Sequence, residues 1–183
     1  MSNEFKICPM CQSKNITYQN NKKWFCPDCG FDLYNNVAAS VGLIIVDTDG
    51  TIIFERRAKE PKKGSLTVPG GFIDQDESAE QAAFRECLEE TGIKPDSIKY
   101  IASFPNTYPY KNITYKTCDM FFTADFSKTD IKTKIVDLMK GQESEVVNFE
   151  SVKIENRKQI EELDIAFDSA RNALLFWFDN IKK

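Results

Sequence analysis

Apolar positions change rhythm several times along the chain, and each change marks an element. The stretch VAASVGLIIV is nearly continuous in apolar residues, which predicts a buried strand over residues 37–47. Asp49-Gly50 reads as a turn, and TIIFERR after it predicts a second strand over 51–57, the two forming a hairpin. Residues 59–64 carry Pro61 and three lysines and read as a solvated loop. Pro69-Gly70-Gly71 signals a sharp turn. The rhythm then becomes helical: Ala83, Phe84, Cys87 and Leu88 make one apolar face of a helix over 78–91. Ser78 and Gln81 fit a capping box at its start, and Gly92 fits the stop. Strands are expected over 98–104, 114–126 and 146–151, and helices over 156–163 and 168–181. Residues 130–140 fit either a short helix or an insertion.

Before residue 37 this patterning is missing, and the segment has too few apolar residues for a core of its own. The 183 residues suffice for one main domain and a small appendage, divided here as 1–36 and 37–183. Apolar residues are 42% of the chain, charged residues 28%, and the net charge is −4. A pI near 5.1 argues against a protein that holds nucleic acid mainly by net charge, though it leaves room for a local basic patch. Neither a leader-like N-terminus nor a run long enough to span a membrane is present, so a cytoplasmic location is expected and a membrane partner is not. There is no histidine. That removes Ser-His-Asp and Cys-His nucleophiles, histidine bases and histidine metal ligands, and leaves carboxylates, Lys, Tyr, Cys or metal-activated water for any acid–base step.

The appendage contains two Cys-x-x-Cys units, Cys8/Cys11 and Cys26/Cys29, with fourteen residues between them. Each unit aims two thiolates at one point, and two units make a closed tetrahedral sulfur site suited to structural zinc. Pro9, Pro27 and Gly30 suit the tight turns this requires. A redox dithiol is the weaker reading, since it needs one pair in a βαβ setting. Lys14, Lys22, Lys23 and Trp24 would be the surface of this ribbon to meet a nucleic acid or a protein, but a folded cap without a ligand is the simpler expectation.

On the helix over 78–91, Glu86, Glu89 and Glu90 stand at i, i+3 and i+4 and share a face. Each like-charged pair costs a few tenths of a kcal/mol, which a solvated helix tolerates. A hard divalent cation, Mg²⁺ or Mn²⁺, would turn that repulsion into a site. Mg²⁺ completes its shell with substrate phosphates, which points to a polyphosphate substrate.

The wider segment, GFIDQDESAEQAAFRECLEETGI, resembles the Nudix signature at Gly71, Glu77, Arg85, Glu86, Cys87, Glu89, Glu90, Gly92 and Ile93. Cys87 stands where an aliphatic residue is commoner, and Leu66 where an aromatic is common before the opening turn. The resemblance implies an α/β fold, an α/β/α sandwich with a mixed sheet, preceded by the four-cysteine zinc ribbon. It implies Glu86 and Glu90 as main metal ligands with Glu89 nearby, and the Gly70 carbonyl as a further ligand. It makes Gly71, Glu77 and Arg85 supports of the box. The catalytic base would come from the box or a later loop, where Glu143 is the first candidate and Glu145 the second.

A four-cysteine ribbon before such a domain is similar to the NADH pyrophosphatase subfamily. That likeness implies Mg²⁺-dependent hydrolysis of a diphosphate in a nucleotide-type substrate such as NADH or ADP-ribose, and a homodimer. The subfamily's Ser-Gln-Pro-Trp-Pro-Phe-Pro stretch appears here only as Ser103-Phe104-Pro105-Asn106-Thr107-Tyr108-Pro109, and the extra domain that commonly precedes the ribbon is not expected from the few residues before Cys8. Phe104, Tyr108 and Tyr110 are candidates to stack a base, against the alternative that they are core or strand-face aromatics. The competing function is a non-catalytic nucleotide-binding regulator whose ribbon engages nucleic acid or a protein. RNA-end hydrolysis is an enzymatic variant made less attractive by the acidic pI.

Overall fold

The computed structural model describes residues 5–126, 133–141 and 144–182. The first unit is a three-stranded antiparallel sheet of β1 (Thr17–Gln19), β2 (Lys23–Phe25) and β3 (Asp32–Tyr34). Its two Cys-x-x-Cys turns are built alike. Gln12 N–H bonds to the Cys8 carbonyl and Gly30 N–H to the Cys26 carbonyl, each at 2.9 Å, and both residues take positive φ. A small core of Cys8, Ile16, Trp24 and Cys26 lies beneath.

The second unit contains β4 (Ala38–Val46), β5 (Ile52–Arg57), β6 (Leu66–Thr67), α1 (Ala79–Thr91), β7 (Ser97–Tyr110), β8 (Ile113–Asp125), β9 (Val146–Val152), α2 (Arg157–Glu162) and α3 (Asp168–Asn180). Among the described residues, six strands join in the order β6-β5-β4-β8-β7, with β9 on β5. The β4–β8 pair is parallel and the other pairs are antiparallel, so the sheet is mixed. Strand parity sends Leu43, Ile45 and Ile53 to one face, against Ala82, Ala83 and Cys87 of α1. It sends Ile44, Ile52 and Phe54 to the other, against Ile160 of α2 and Ala170, Ala173, Leu174 and Trp177 of α3. Each such aliphatic side chain contributes about 1.5–3 kcal/mol on burial, which is why the nearly continuous apolar run of β4 lies at the centre. The result is the α/β/α sandwich expected.

The hairpin read over 37–57 exists, but β4 and β5 pair only at Ile45↔Ile53 and Val46↔Ile52. The rest of β4 pairs with β8. Because β9 runs along one edge of β5 from Ile52 to Arg57, β4 and β6 must share the other edge. β4 leaves that edge after Ile53 and β6 takes it at Glu55. The sheet is therefore forked, and the site lies at the fork. The strand read as ending at residue 104 continues to Tyr110. Pro105 and Pro109 look like breakers, yet β7 is an edge strand, where a missing N–H is tolerated. Of the ambiguous stretch, residues 135–138 form a 3₁₀ turn; residues 127–132 lie outside the described part.

Candidate active site

The box helix α1 begins as its sequence predicts. Ser78 Oγ accepts from Gln81 N–H, the Gln81 side chain accepts from Ser78 N–H at 2.8 Å, and Gly92 ends the helix in the left-handed region. Such a cap contributes about 1 kcal/mol and sets the register in which the acidic face meets the fork. The preceding turn leaves β6 and crosses to β4, where Leu43 N–H bonds to the Pro69 carbonyl and Val41 N–H to the Gly71 carbonyl, both at 2.8 Å. Gly70 has φ of +149°, and a Cβ there would drive into the Val41 carbonyl. At Gly71 a Cβ would come within 2.5 Å of Glu86 Oε1. Only glycine lets these two segments lie this close.

Arg85 organises the outer acids. Its Nε and Nη2 bind both oxygens of Glu77, at 2.9 and 2.8 Å, and Nη2 also reaches the Phe72 carbonyl at 3.0 Å. Nη1 meets Glu86 Oε1 at 2.7 Å and Glu89 Oε2 at 3.2 Å. This guanidinium holds the Glu77 carboxyl below its usual range and is itself held up by Glu77, so it stays charged. Burial raises the Glu86 carboxyl, while Arg85 opposes the shift. Glu90 is deeper, 8% exposed, and its Oε2 accepts from Gly70 N–H at 2.6 Å. Burial, then the charges of Glu86 and Glu145, push it up to about 8, against the pull of the Gly70 N–H. Cys87, the departure from an aliphatic residue, is buried on α1's core face, and burial pushes its thiol up to about 12, so it serves as a small apolar side chain.

The sequence reading missed Glu55. This carboxylate is 2% exposed at the end of β5, on the Ile53 side of the sheet and therefore toward α1. Burial, then Glu90, raise its carboxyl well above the usual range. A strand beginning with alternating faces (Ile53 in, Phe54 on the reverse) carries the signal: position 55 must share Ile53's face. The charged stretch Glu55-Arg56-Arg57 masks it as a strand running out to solvent.

Part of this set lines a cleft of about 410 Å³, with Glu55, Glu77 and Arg85 behind its walls. Gly70, Gly71, Glu86, Glu89 and Glu90 form one wall, and Glu145 reaches it, paired with Lys59. Lys59, read from sequence as a solvated loop residue, lines the cleft beside Arg57. Glu143 lies outside the described residues. Across from the acids, Tyr108 packs on Phe72 at 5.4 Å and on Phe167 at 5.5 Å. Tyr110 stacks beside Tyr108 at 6.5 Å but does not line the cleft. Phe104 does not line it either; its ring meets Phe121 and Phe176 toward the α3 layer. A polar group closes that end: Asp119 accepts from Ser40 and Ser169 hydroxyls, each at 2.6 Å. Thr117 Oγ1 nearby is buried without a hydrogen-bond partner among the described residues.

The four ribbon thiols converge too. All lie within 4.8 Å of one another, with Cys8–Cys29 and Cys11–Cys26 at 3.7 Å. Tetrahedral thiolates with bonds of about 2.3 Å stand about 3.8 Å apart, so the set fits one metal ion.

The chain belongs to the NUDIX domain family, whose model matches residues 37–170. It is similar to proteins named NAD-capped RNA hydrolase NudC, in keeping with the resemblance to the ribbon-bearing pyrophosphatases. The Vibrio atlanticus protein is 28% identical over 152 residues, 83% of this chain and 54% of that one. The Escherichia coli protein is 28% identical over 128 residues, covering 69% and 46%. The chain thus spans about half the length of the curated relatives it matches. The fold matches the crystal structure of a NUDIX hydrolase from Nitrosomonas europaea, with a TM-score of 0.64, 21% identity and coverage of 97% and 92%. Among the described residues no helix is long and apolar enough to cross a membrane.

Without magnesium the box should make stability fall as pH rises. The folded chain keeps a proton on Glu90 up to about 8, whereas the unfolded chain releases it near 4.5. Glu55 and Glu86 are raised as well, so all three act in the same direction. Folding then takes up protons, and stability is lost between those two values. With no histidine in the chain, little else titrates between about pH 5 and 7. The melting temperature in magnesium-free buffer is expected to decline over that interval, and a flat or rising profile would contradict the assignment.

Proposed function

We propose that this chain hydrolyses the diphosphate linkage of a nucleotide-type substrate, with NADH, ADP-ribose or a similar dinucleotide as the substrate class. The observation that carries the reading is the single cleft in which the box acids face Arg57, Lys59 and an aromatic wall. The donor set of carboxylates and the Gly70 carbonyl fits Mg²⁺ or Mn²⁺, held by Glu86 and Glu90 with Glu89 nearby. Such an ion neutralises phosphate charge and makes the attacking water more acidic.

The chain's own groups do the rest. Arg57 is fixed by its Nε bond to the Pro61 carbonyl at 2.8 Å and lies over the Phe167 ring at 5.0 Å, leaving its charge for phosphate oxygens. Lys59 adds a second positive charge. Glu145 is a carboxylate in reach of the cleft to take the proton of the water, and Glu143 is the other candidate from the sequence. Phe72, Tyr108 and Phe167 offer faces to a base, and Asp119 with Thr117 offers buried polar atoms to a nucleoside. The four-cysteine cluster holds structural zinc and leaves no position for a reacting water.

A substrate panel tests this. NADH, ADP-ribose, a dinucleoside polyphosphate, a nucleoside triphosphate and NAD-capped RNA are incubated with and without Mg²⁺, and released nucleoside monophosphate is measured. Release that depends on Mg²⁺ is expected for NADH or ADP-ribose. The named activity of the relatives supports including the capped RNA. Tight binding with every ligand recovered uncleaved after long incubation with Mg²⁺ would replace hydrolysis with a nucleotide-binding regulator.

A further inference from the structure

The acids in and behind the cleft differ in what already neutralises them. Glu77, Glu86 and Glu89 share Arg85, and Glu145 has Lys59. Glu90 has one backbone N–H. Glu55 meets Glu90, and its Oε1 is fully buried with no hydrogen-bond partner among the described residues. Among those residues neither Glu55 nor Glu90 has an ion-pair partner, and Arg57 acts on both only through space. The two carboxyls lie against each other, at 2% and 8% exposure. A proton shared between them is the one bond the pair can make; once both are ionised each only accepts, and nothing among the described residues bridges them.

Such an arrangement opposes folding. An apolar side chain of similar size at position 55 would continue the row begun by Ile53 and remove a desolvated like-charge contact. A buried, unpartnered oxygen beside an acid of the box is the feature a hard cation would satisfy. We infer that Glu55 is a ligand for a divalent cation, an inner position shared with Glu90 and one side chain deeper than the box helix reaches. The inference rests on the reading that the box glutamates hold divalent ions. Oxygen-only donors select Mg²⁺ or Mn²⁺ over softer metals. Glu55 comes from a strand and Glu90 from a helix, so the ion would also tie β5 to α1.

The test is Mn²⁺ binding to the full chain with its ribbon zinc-loaded, followed by electron paramagnetic resonance of free Mn²⁺. Wild type, Glu55→Gln and Glu86→Gln are compared. Glu55→Gln should lose one bound ion or bind it roughly tenfold or more weakly. Its melting temperature in metal-free buffer should be no lower than wild type, which separates lost binding from lost fold. A Glu55→Gln isotherm that superimposes on wild type overturns the inference. If that variant does not fold, Glu55→Asp keeps the charge but withdraws it by one methylene, and unchanged Mn²⁺ affinity in it overturns the inference equally. Wild type that binds no Mn²⁺ sinks both this and the hydrolase reading. Binding lost in Glu86→Gln but intact in Glu55→Gln sinks the Glu55 assignment alone.

Discussion

Glu90→Gln is expected to lower kcat by about a hundredfold to a thousandfold on whichever substrate the panel identifies. Glu90 is the box acid most enclosed by protein, with Gly70 N–H fixing one oxygen and the other facing the acids around it. The amide keeps the size and can still accept from Gly70 N–H. What it removes is the negative charge that a divalent ion needs. The fold should be intact and, without magnesium, more stable, because the cost of burying an ionisable acid beside Glu55 and Glu86 is gone. Opposite signs for activity and stability distinguish a functional acid from a structural one. The measurements are kcat from phosphate release and the melting curve in magnesium-free buffer. Turnover equal to wild type in a folded variant would remove the mechanism proposed above.

The second large effect concerns the ribbon. Cys26→Ser should release its zinc and unfold residues 5–36 while the NUDIX domain keeps its transition. The ribbon's buried apolar set is Cys8, Ile16, Trp24 and Cys26, too small to offset the entropy of ordering some thirty residues. In small domains of this kind bound zinc supplies on the order of 10 kcal/mol of folding free energy. The two tryptophans report separately: Trp24 lies in the ribbon and Trp177 on the core face of α3. A red-shifted Trp24 emission with stoichiometric loss of zinc is the expected result, read most cleanly in a Trp177→Phe background. A variant with native Trp24 emission and no zinc would mean that the ribbon folds without metal.

Much of this was legible in the chain because it is local. The helix start at Ser78, its stop at Gly92 and the shared face of Glu86, Glu89 and Glu90 follow from a 3.6-residue period and from caps. The paired cysteine turns are equally local. What escaped was set by partners far along the chain. The parallel pairing of β4 with β8 joins residues such as Ser40 and Asp119, and no short-range pattern announces it. The strand expected over 98–104 runs on through Pro105 and Pro109 because β7 is an edge, which is a property of the whole sheet. Phe104, Tyr108 and Tyr110 form one aromatic set by strand parity, all beyond the bulge in β7, yet their places along the strand divide them: Phe104 meets the α3 layer, Tyr108 lines the cleft and Tyr110 is exposed near the tip. Glu55 was passed over because a charge at the end of a strand usually meets water, and here α1 covers it.

The forked sheet has a consequence for how this scaffold could be remodelled. The floor carrying Gly70 and Gly71 is stitched into β4 through the bonds to Val41 and Leu43, so displacing it would unzip main-chain pairing at the centre of the molecule. The facing wall is a long two-stranded arm, β7 and β8, whose main-chain ladder beyond Ala38↔Thr117 is, among the described residues, only with itself and ends in a tip at Lys111. One jaw is thus anchored and the other cantilevered. Changes of ligand preference should accumulate along the arm, at positions such as Asn106 and Tyr108, while the anchored jaw keeps its chemistry.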